Sequence, residues 1–237
     1  MPDTFVPPCK IRRSRRAKHI LLRVTPEDGL VATLPWRATK KALTQAISEH
    51  AAWIEEQLIR VDGERERLLQ ARQTRPETLE LRAAGQILQL QYRPSSCSRH
   101  RLMRQDDTLH IHMPDIKNIA AAHHQLGNFV RREARAFLGD RLERLADRHG
   151  LEYSSVSIRR QKTRWGSCSA KKKINLNDRL MFLPEPLMEH VLLHELAHTR
   201  HLDHSPRFHA LLEHMDPNAS AHRRELRHAG QYVPAWL

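Results

Sequence analysis

The spacing of apolar residues changes several times along the chain, and each change marks an element. Short runs rich in Leu, Ile and Val occupy His19 to Val24 and Gly29 to Leu34, on either side of Thr25-Pro26-Glu27-Asp28-Gly29. Two such runs split by a Pro/Gly turn predict a β-hairpin. Beyond Pro35 the period becomes helical. Leu43, Ala46, Ile47, Trp53, Ile54, Leu58 and Val61 predict one long helix, capped by Thr39 and ending near Arg72. Four β-type runs follow, at Leu79 to Arg82, Ile87 to Tyr92, Arg101 to Arg104 and Thr108 to Met113, with turn signals at Gly85 and Pro94-Ser95-Ser96. A second long helix is expected from Asp115, as N-cap, to Gly150, with Leu126, Phe129, Val130, Leu138, Leu142 and Leu145 in its buried stripe.

The remaining third reads as alternating short elements. Val156 to Arg160 and Trp165 to Asn177 form a predicted strand pair bent at Lys171 to Lys173, and a helix follows Pro184 and Pro186. Ser205-Pro206 starts one more helix through His214, with proline at the first helical position. No repeat or low-complexity tract interrupts the pattern. The chain has 237 residues, enough for one large or two small domains with a core. The expected fold class is α+β. Residues 1–114 form a β-rich region of hairpin, one long helix and strands, and residues 115–237 form a second domain that carries the candidate chemistry.

Composition narrows the setting. The cysteines are Cys9, Cys97 and Cys168. Their odd number and wide spacing argue against a disulfide framework, the absence of a Cys-x-x-Cys pair excludes a thiolate zinc knuckle, and a reducing, cytoplasmic environment is expected. No apolar run approaches the roughly 20 residues of a membrane helix. Met1 to Lys10 has no apolar stretch of the kind a secretory signal needs. The basic run Lys10, Arg12, Arg13, Arg15, Arg16, Lys18 leads directly into predicted strands, so it belongs to the folded protein rather than to a transit peptide. The net charge is +13. Two clusters contribute to it: Arg159, Arg160, Lys162, Arg164 and Lys171 to Lys173, and His222, Arg223, Arg224, Arg227 and His228. They have two readings, a surface for nucleic acid or a solvated charged face. Little aromatic residue is interleaved, so stacking on single strands is not indicated.

The chemistry concentrates in His194-Glu195-Leu196-Ala197-His198. On a helix, residues four apart lie about 40° apart around the axis and about 6 Å along it, so both imidazoles can reach one zinc ion at about 2.0–2.1 Å. Glu195 lies on the same side and can reach a water on that ion without binding the ion itself. Such a carboxylate takes the water's proton as the water attacks. Apolar flanks (Val191, Leu192, Leu193, Leu196 and Ala197) bury one side of the helix, and histidines there need partners. A catalytic zinc takes a third protein ligand. His204 is the best placed, because the chain must turn before Ser205-Pro206. Glu213 and Glu225 stay open as alternatives. His190 and His201 share the helix face but cannot surround the same ion from a straight helix.

These blocks resemble those of the YgjP-like metallopeptidases, relatives of the SprT-like zinc proteases. The resemblance covers nearly the whole chain and begins with the basic strand Arg13-Ser14-Arg15-Arg16-Ala17-Lys18-His19-Ile20 and the later Trp53-Ile54. It is strongest in Arg164-Trp165-Gly166-Ser167-Cys168-Ser169, Ile174-Asn175-Leu176-Asn177, the His-Glu-x-x-His block and His204-Ser205-Pro206-Arg207-Phe208. It implies a zincin-like catalytic domain, its active-site helix beside a small antiparallel sheet, with Zn2+ held by His194, His198 and His204 and with Glu195 as general base. It implies a peptide or protein substrate. One departure is His209, where such proteins often carry Trp. The Trp-Gly-Ser-Cys block has two readings: a strand edge that holds an extended peptide, or packing behind the metal helix. Rival functions are a metal-dependent hydrolase of nucleotide phosphoanhydrides, disfavoured by the lack of a Gly-rich phosphate loop, and a DNA-associated protease of the SprT-like kind.

Overall fold

The computed structural model describes residues 8–26, 28–161 and 163–237, and of Glu64 the backbone. Glu27 in the predicted hairpin turn, Lys162 of the basic cluster and most of Met1 to Lys10 lie outside the described residues. The chain divides into two compact units, Met1–Gln73 and Thr74–Leu237. This division precedes the 114/115 boundary expected from the sequence. The strands between residues 74 and 114 share one hydrophobic core with the helices that follow, through Leu79, Leu88, Leu109 and Ile111 against Leu126, Phe129 and Leu138.

In the first unit, β2 (Leu21–Thr25) and β3 (Gly29–Pro35) form the expected antiparallel hairpin, and β1 (Cys9–Ser14) adds a parallel strand on the other side of β3. Leu30, Ala32 and Leu34 alternate onto one face and pack with Leu43, Ile47 and Ile54, as the period of two dictates. Thr39 caps the following helix through Ala42 N, as expected. The single long helix does not form, however. α1 (Lys40–Glu49) ends at His50, and α2 (Ala51–Gln73) begins immediately after it.

The second unit opens with a four-stranded sheet in the order β4-β5-β7-β6, from β4 (Thr78–Leu81), β5 (Gln86–Pro94), β6 (Arg101–Gln105) and β7 (Thr108–Met113). α3 (Ile119–His149) follows, and Gly150 in the left-handed conformation (φ 61°) ends it. Its cap is Asn118, whose side chain accepts from Ala121 N. The predicted cap Asp115 instead closes a turn on Lys117 N.

β8 (Ser155–Arg159), β10 (Lys173–Asn177) and β9 (Gly166–Cys168) form a second sheet. β10 is central, parallel to β8 and antiparallel to β9, so the sheet is mixed rather than purely antiparallel. Buried Asn177 knits it to the preceding loop. Asn177 donates through Nδ2 to the carbonyls of Gln161 and Arg164, at 2.7 and 2.8 Å, which fixes the loop leading into β9. Fully buried Asp178 accepts from Arg160 at 2.6 Å, and Arg160 also donates to Gly127 O. That arginine is therefore committed to the fold. α4 (Glu185–Ala197), α5 (Pro206–Met215) and α6 (Ala219–Glu225) complete the unit. Arg141 of α3 ties down α4 through Glu185 and Glu189. No helix among the described residues is long and apolar enough to cross a membrane.

Candidate metal centre

α4 carries His194 and Glu195, and His198 caps its end while still in helical conformation. The chain turns at residues 199–204, and Pro206 then starts α5. His204 is thereby returned to the first two histidines. The ligand atoms of His194, His198 and His204 lie within 4.8 Å of one another, and the Nε2 atoms of His194 and His204 are 3.3 Å apart. His198 Nδ1 donates to His201 O at 3.0 Å, which leaves Nε2 as its free nitrogen. Such an outer hydrogen bond fixes ring orientation and tautomer. Phe208, fully buried, supports the arrangement: its ring centroid lies 5.0, 4.6 and 4.8 Å from those of His194, His198 and His204.

The electrostatics favour neutral imidazoles beside a proton-hungry carboxylate. Burial, reinforced by His198 and His204, pushes His194 down to about 3. Burial also lowers His198, against the pull of the His201 carbonyl. A neutral imidazole is the form that binds a metal. Glu195 is 4% exposed, its Oε2 has no hydrogen-bond partner among the described residues, and burial lifts it from its ordinary 4.5 to about 7, with Arg164 opposing. A buried carboxylate oxygen left unpaired is costly, so it calls for a partner that the described residues do not supply. Three converging nitrogens and one orphaned oxygen fit a cation with a water beside it.

β9 forms the opposite wall. A Cβ added to Gly166 would lie 2.6 Å from Glu195 Oε1 and 2.7 Å from its Cγ, so only glycine lets the strand approach the carboxylate this closely. Arg164, Gly166, Ser167 and Cys168 line a cleft of about 270 Å3 together with Glu195 and the three histidines. β9 lies at the end of its sheet. Both readings of the Trp-Gly-Ser-Cys block have a counterpart here, since Trp165 and Cys168 also pack against the core. Burial raises the Cys168 thiol, which does not favour a nucleophilic thiolate.

Among the described residues, neither alternative ligand joins the three converging histidines. Glu225 accepts from Tyr232 Oη at 3.0 Å, and Glu213 lines a neighbouring cavity. His201 contributes its carbonyl rather than its ring. His190 is bonded to Asp216 at 2.6 Å, and His222 reaches the same carboxylate oxygen at 2.9 Å. Sequence reasoning missed this second cluster, as well as the shared support from Phe208 and the place of Arg164 on the cleft wall. The order of the Phe208 and Arg164 motifs gave a hint of the last two. Nothing local signals the first.

Comparison with known proteins identifies the family. Residues 18–229 match the model of the YgjP-like family, described as a metallopeptidase domain. Among solved structures, the chain is similar to that of the metallopeptidase zymogen of Pyrococcus abyssi abylysin. Identity is 30%, covering 37% of this chain and 90% of that one, with a TM-score of 0.35. No curated protein matches. The family match takes in both walls of the cleft and all three converging histidines, and the chain therefore belongs to the YgjP-like metallopeptidases, a family of metal-dependent proteases.

Proposed function

We propose that this metallopeptidase uses Zn2+ held by His194, His198 and His204, with Glu195 as general base. The observation that carries the reading is the convergence of three imidazoles beside a buried carboxylate oxygen with no partner among the described residues. An all-nitrogen set of imidazoles with an open side suits catalytic zinc better than calcium or magnesium, which take oxygen ligands. When bound, the ion supplies Lewis acidity, acidifying a water and polarising the scissile carbonyl.

The protein's own groups do the rest. Glu195 accepts the attacking water's proton at its free oxygen and passes it to the leaving nitrogen. A group lifted toward 7 can both take and return a proton near neutral pH. The free edge of β9 pairs with the main chain of an extended peptide. His201 O, through His198 Nδ1, and Phe208, beneath the rings, hold the ligands in place. The free cysteines Cys9, Cys97 and Cys168 support a reducing compartment, and the enzyme is assigned to the cytoplasm on that ground.

Glu195→Gln is the direct test. It keeps the shape of the side chain and removes the base. Turnover of a peptide substrate should fall on the order of 10²–10⁴-fold, with about one zinc per chain retained by elemental analysis. Unchanged turnover in the zinc-loaded variant would overturn the mechanism. Loss of zinc along with activity would make Glu195 a ligand.

A further inference from the structure

A second cavity, of about 300 Å3, adjoins the cleft and shares His194 and His204 with it. α4, α5 and α6 enclose it. Its walls include Phe208, Leu212 and Ala219, which are 0, 5 and 6% exposed. Half-buried His209 and exposed Glu213, Ser220 and Arg223 contribute from α5 and α6. The opposite charges of Glu213 and Arg223 leave the mouth without a dominant sign. An ionised side chain pushed inward would lose its hydration against buried apolar walls, whereas an apolar one would gain from leaving water.

The three enclosing helices are fixed to one another by a buried carboxylate. Asp216, at the end of α5, accepts at Oδ2 from His190 Nδ1 of α4 and from His222 Nδ1 of α6, at 2.6 and 2.9 Å. Its Oδ1 accepts from Asn218 N at 3.0 Å, where the chain enters α6. The cavity is therefore preformed, as specificity pockets usually are, rather than an accident of loosely packed helices.

We propose that this cavity receives a bulky apolar side chain, of the Leu or Phe class, from the substrate residue adjoining the scissile bond. The inference rests on the metallopeptidase reading above. The argument is continuity. The two histidines that line the cleft also line the cavity, so a peptide whose scissile bond reaches them places a neighbouring side chain at the entrance. His190 Nδ1 is already bonded to Asp216, so that nitrogen is not available to bind a polar side chain.

The test uses the zinc-loaded full chain and quenched fluorescent peptides. The peptides differ only at the residues flanking the cleaved bond, with Leu, Phe, Ala, Asp or Lys in turn, and mass spectrometry locates the cut. One flanking position should prefer Leu or Phe over Ala by about 10–200-fold in kcat/KM, the range that apolar pockets achieve. Ser220→Phe, which adds bulk from an exposed position, should bring that ratio toward one. Leu212→Ala, which deepens the wall, should shift preference from Leu toward Phe. A wild type indifferent to apolar bulk, or ratios unchanged in both variants with zinc retained, would overturn the pocket. Failure of the zinc-loaded wild type to cleave any peptide would overturn the enzymatic reading itself, and this assignment with it.

Discussion

Two three-residue clusters each draw on α4, through His190 and His194 one turn apart, and by proximity alone they look alike. The ligand atoms of His194, His198 and His204, and those of His190, Asp216 and His222, each lie within 4.8 Å of one another. Their bonding differs. In the second cluster both Nδ1 atoms reach one carboxylate oxygen at 2.6 and 2.9 Å, ordinary hydrogen-bond lengths. Each donor has its acceptor, and the group is complete as it stands. In the first, two Nε2 atoms face each other at 3.3 Å with no carboxylate between them. Ring nitrogens that converge on one another, rather than on a carboxylate, fit a cation. The two carboxylates on these faces make the same contrast. Burial would raise Asp216, but hydrogen bonds from His222 and His190 outweigh it and hold the acid below its usual range. Glu195 has no such donors, and burial lifts it to about 7. Closeness of metal-binding residue types does not make a metal centre; unmet bonding capacity does.

The largest effect that could break this comparison is on metal content. His204→Ala should reduce bound zinc from about one per chain to near none after dialysis, because two ligands on one helix hold zinc poorly. His222→Ala should keep its zinc. Zinc lost from His222→Ala as readily as from His204→Ala would mean that the two clusters form one site. Next in size is Gly166→Ala. The new methyl would overlap Glu195 by contact at 2.6 Å, so the carboxylate must move. Displacement of a catalytic group by about 1 Å can cost on the order of 10²-fold in rate. We expect that loss in turnover with zinc retained. Full activity in Gly166→Ala would show that the position of Glu195 is not critical.

The sequence carried the first cluster and hid the second for a physical reason. His194 and His198 are neighbours because the helix repeat makes them so, and His204 follows from a turn that Ser205-Pro206 enforces. Asp216 lies 26 residues beyond His190, and only the packing of α4, α5 and α6 brings them together. The fold divides in the same way. The strands β4 to β7 and the helix α3 were legible from periodicity, and Asn118 displaced Asp115 as cap within a run where both side chains can cap. β1 escaped notice because Cys9–Ser14 is mostly exposed and basic, so it shows no alternation and pairs with β3 through its backbone. The break at His50 has no Gly or Pro to announce it. α6 is short and charged, with no apolar period. The parallel pairing of β8 with β10, and the unit boundary at Gln73, depend on which surfaces share a core, and spacing does not encode that.

The smallest effect concerns stability, and it sets the two carboxylates against each other. Asp216→Ala strips acceptors from His190 and His222 inside the fold. It should cost about 2–4 kcal/mol in urea unfolding, from the penalty on donors left unpaired. Glu195→Gln should cost little or stabilise, since Oε2 makes no hydrogen bond to lose and a neutral amide is easier to bury than a carboxylate. The pH dependence gives the sign. The folded-state value of Glu195 lies above its ordinary 4.5, at about 7, so between those values the folded chain binds a proton that the unfolded chain has released. Its contribution to stability is fully present below about 4.5 and is lost as pH rises through about 7. Measured in chelator, so that metal binding does not intrude, wild type and Glu195→Gln should melt alike near pH 5, and the variant should be the more stable near pH 8. A gap that narrows with rising pH would mean that the buried Glu195 carboxylate has a bonding partner in the metal-free protein, and the contrast between the two clusters would fail at its most sensitive point.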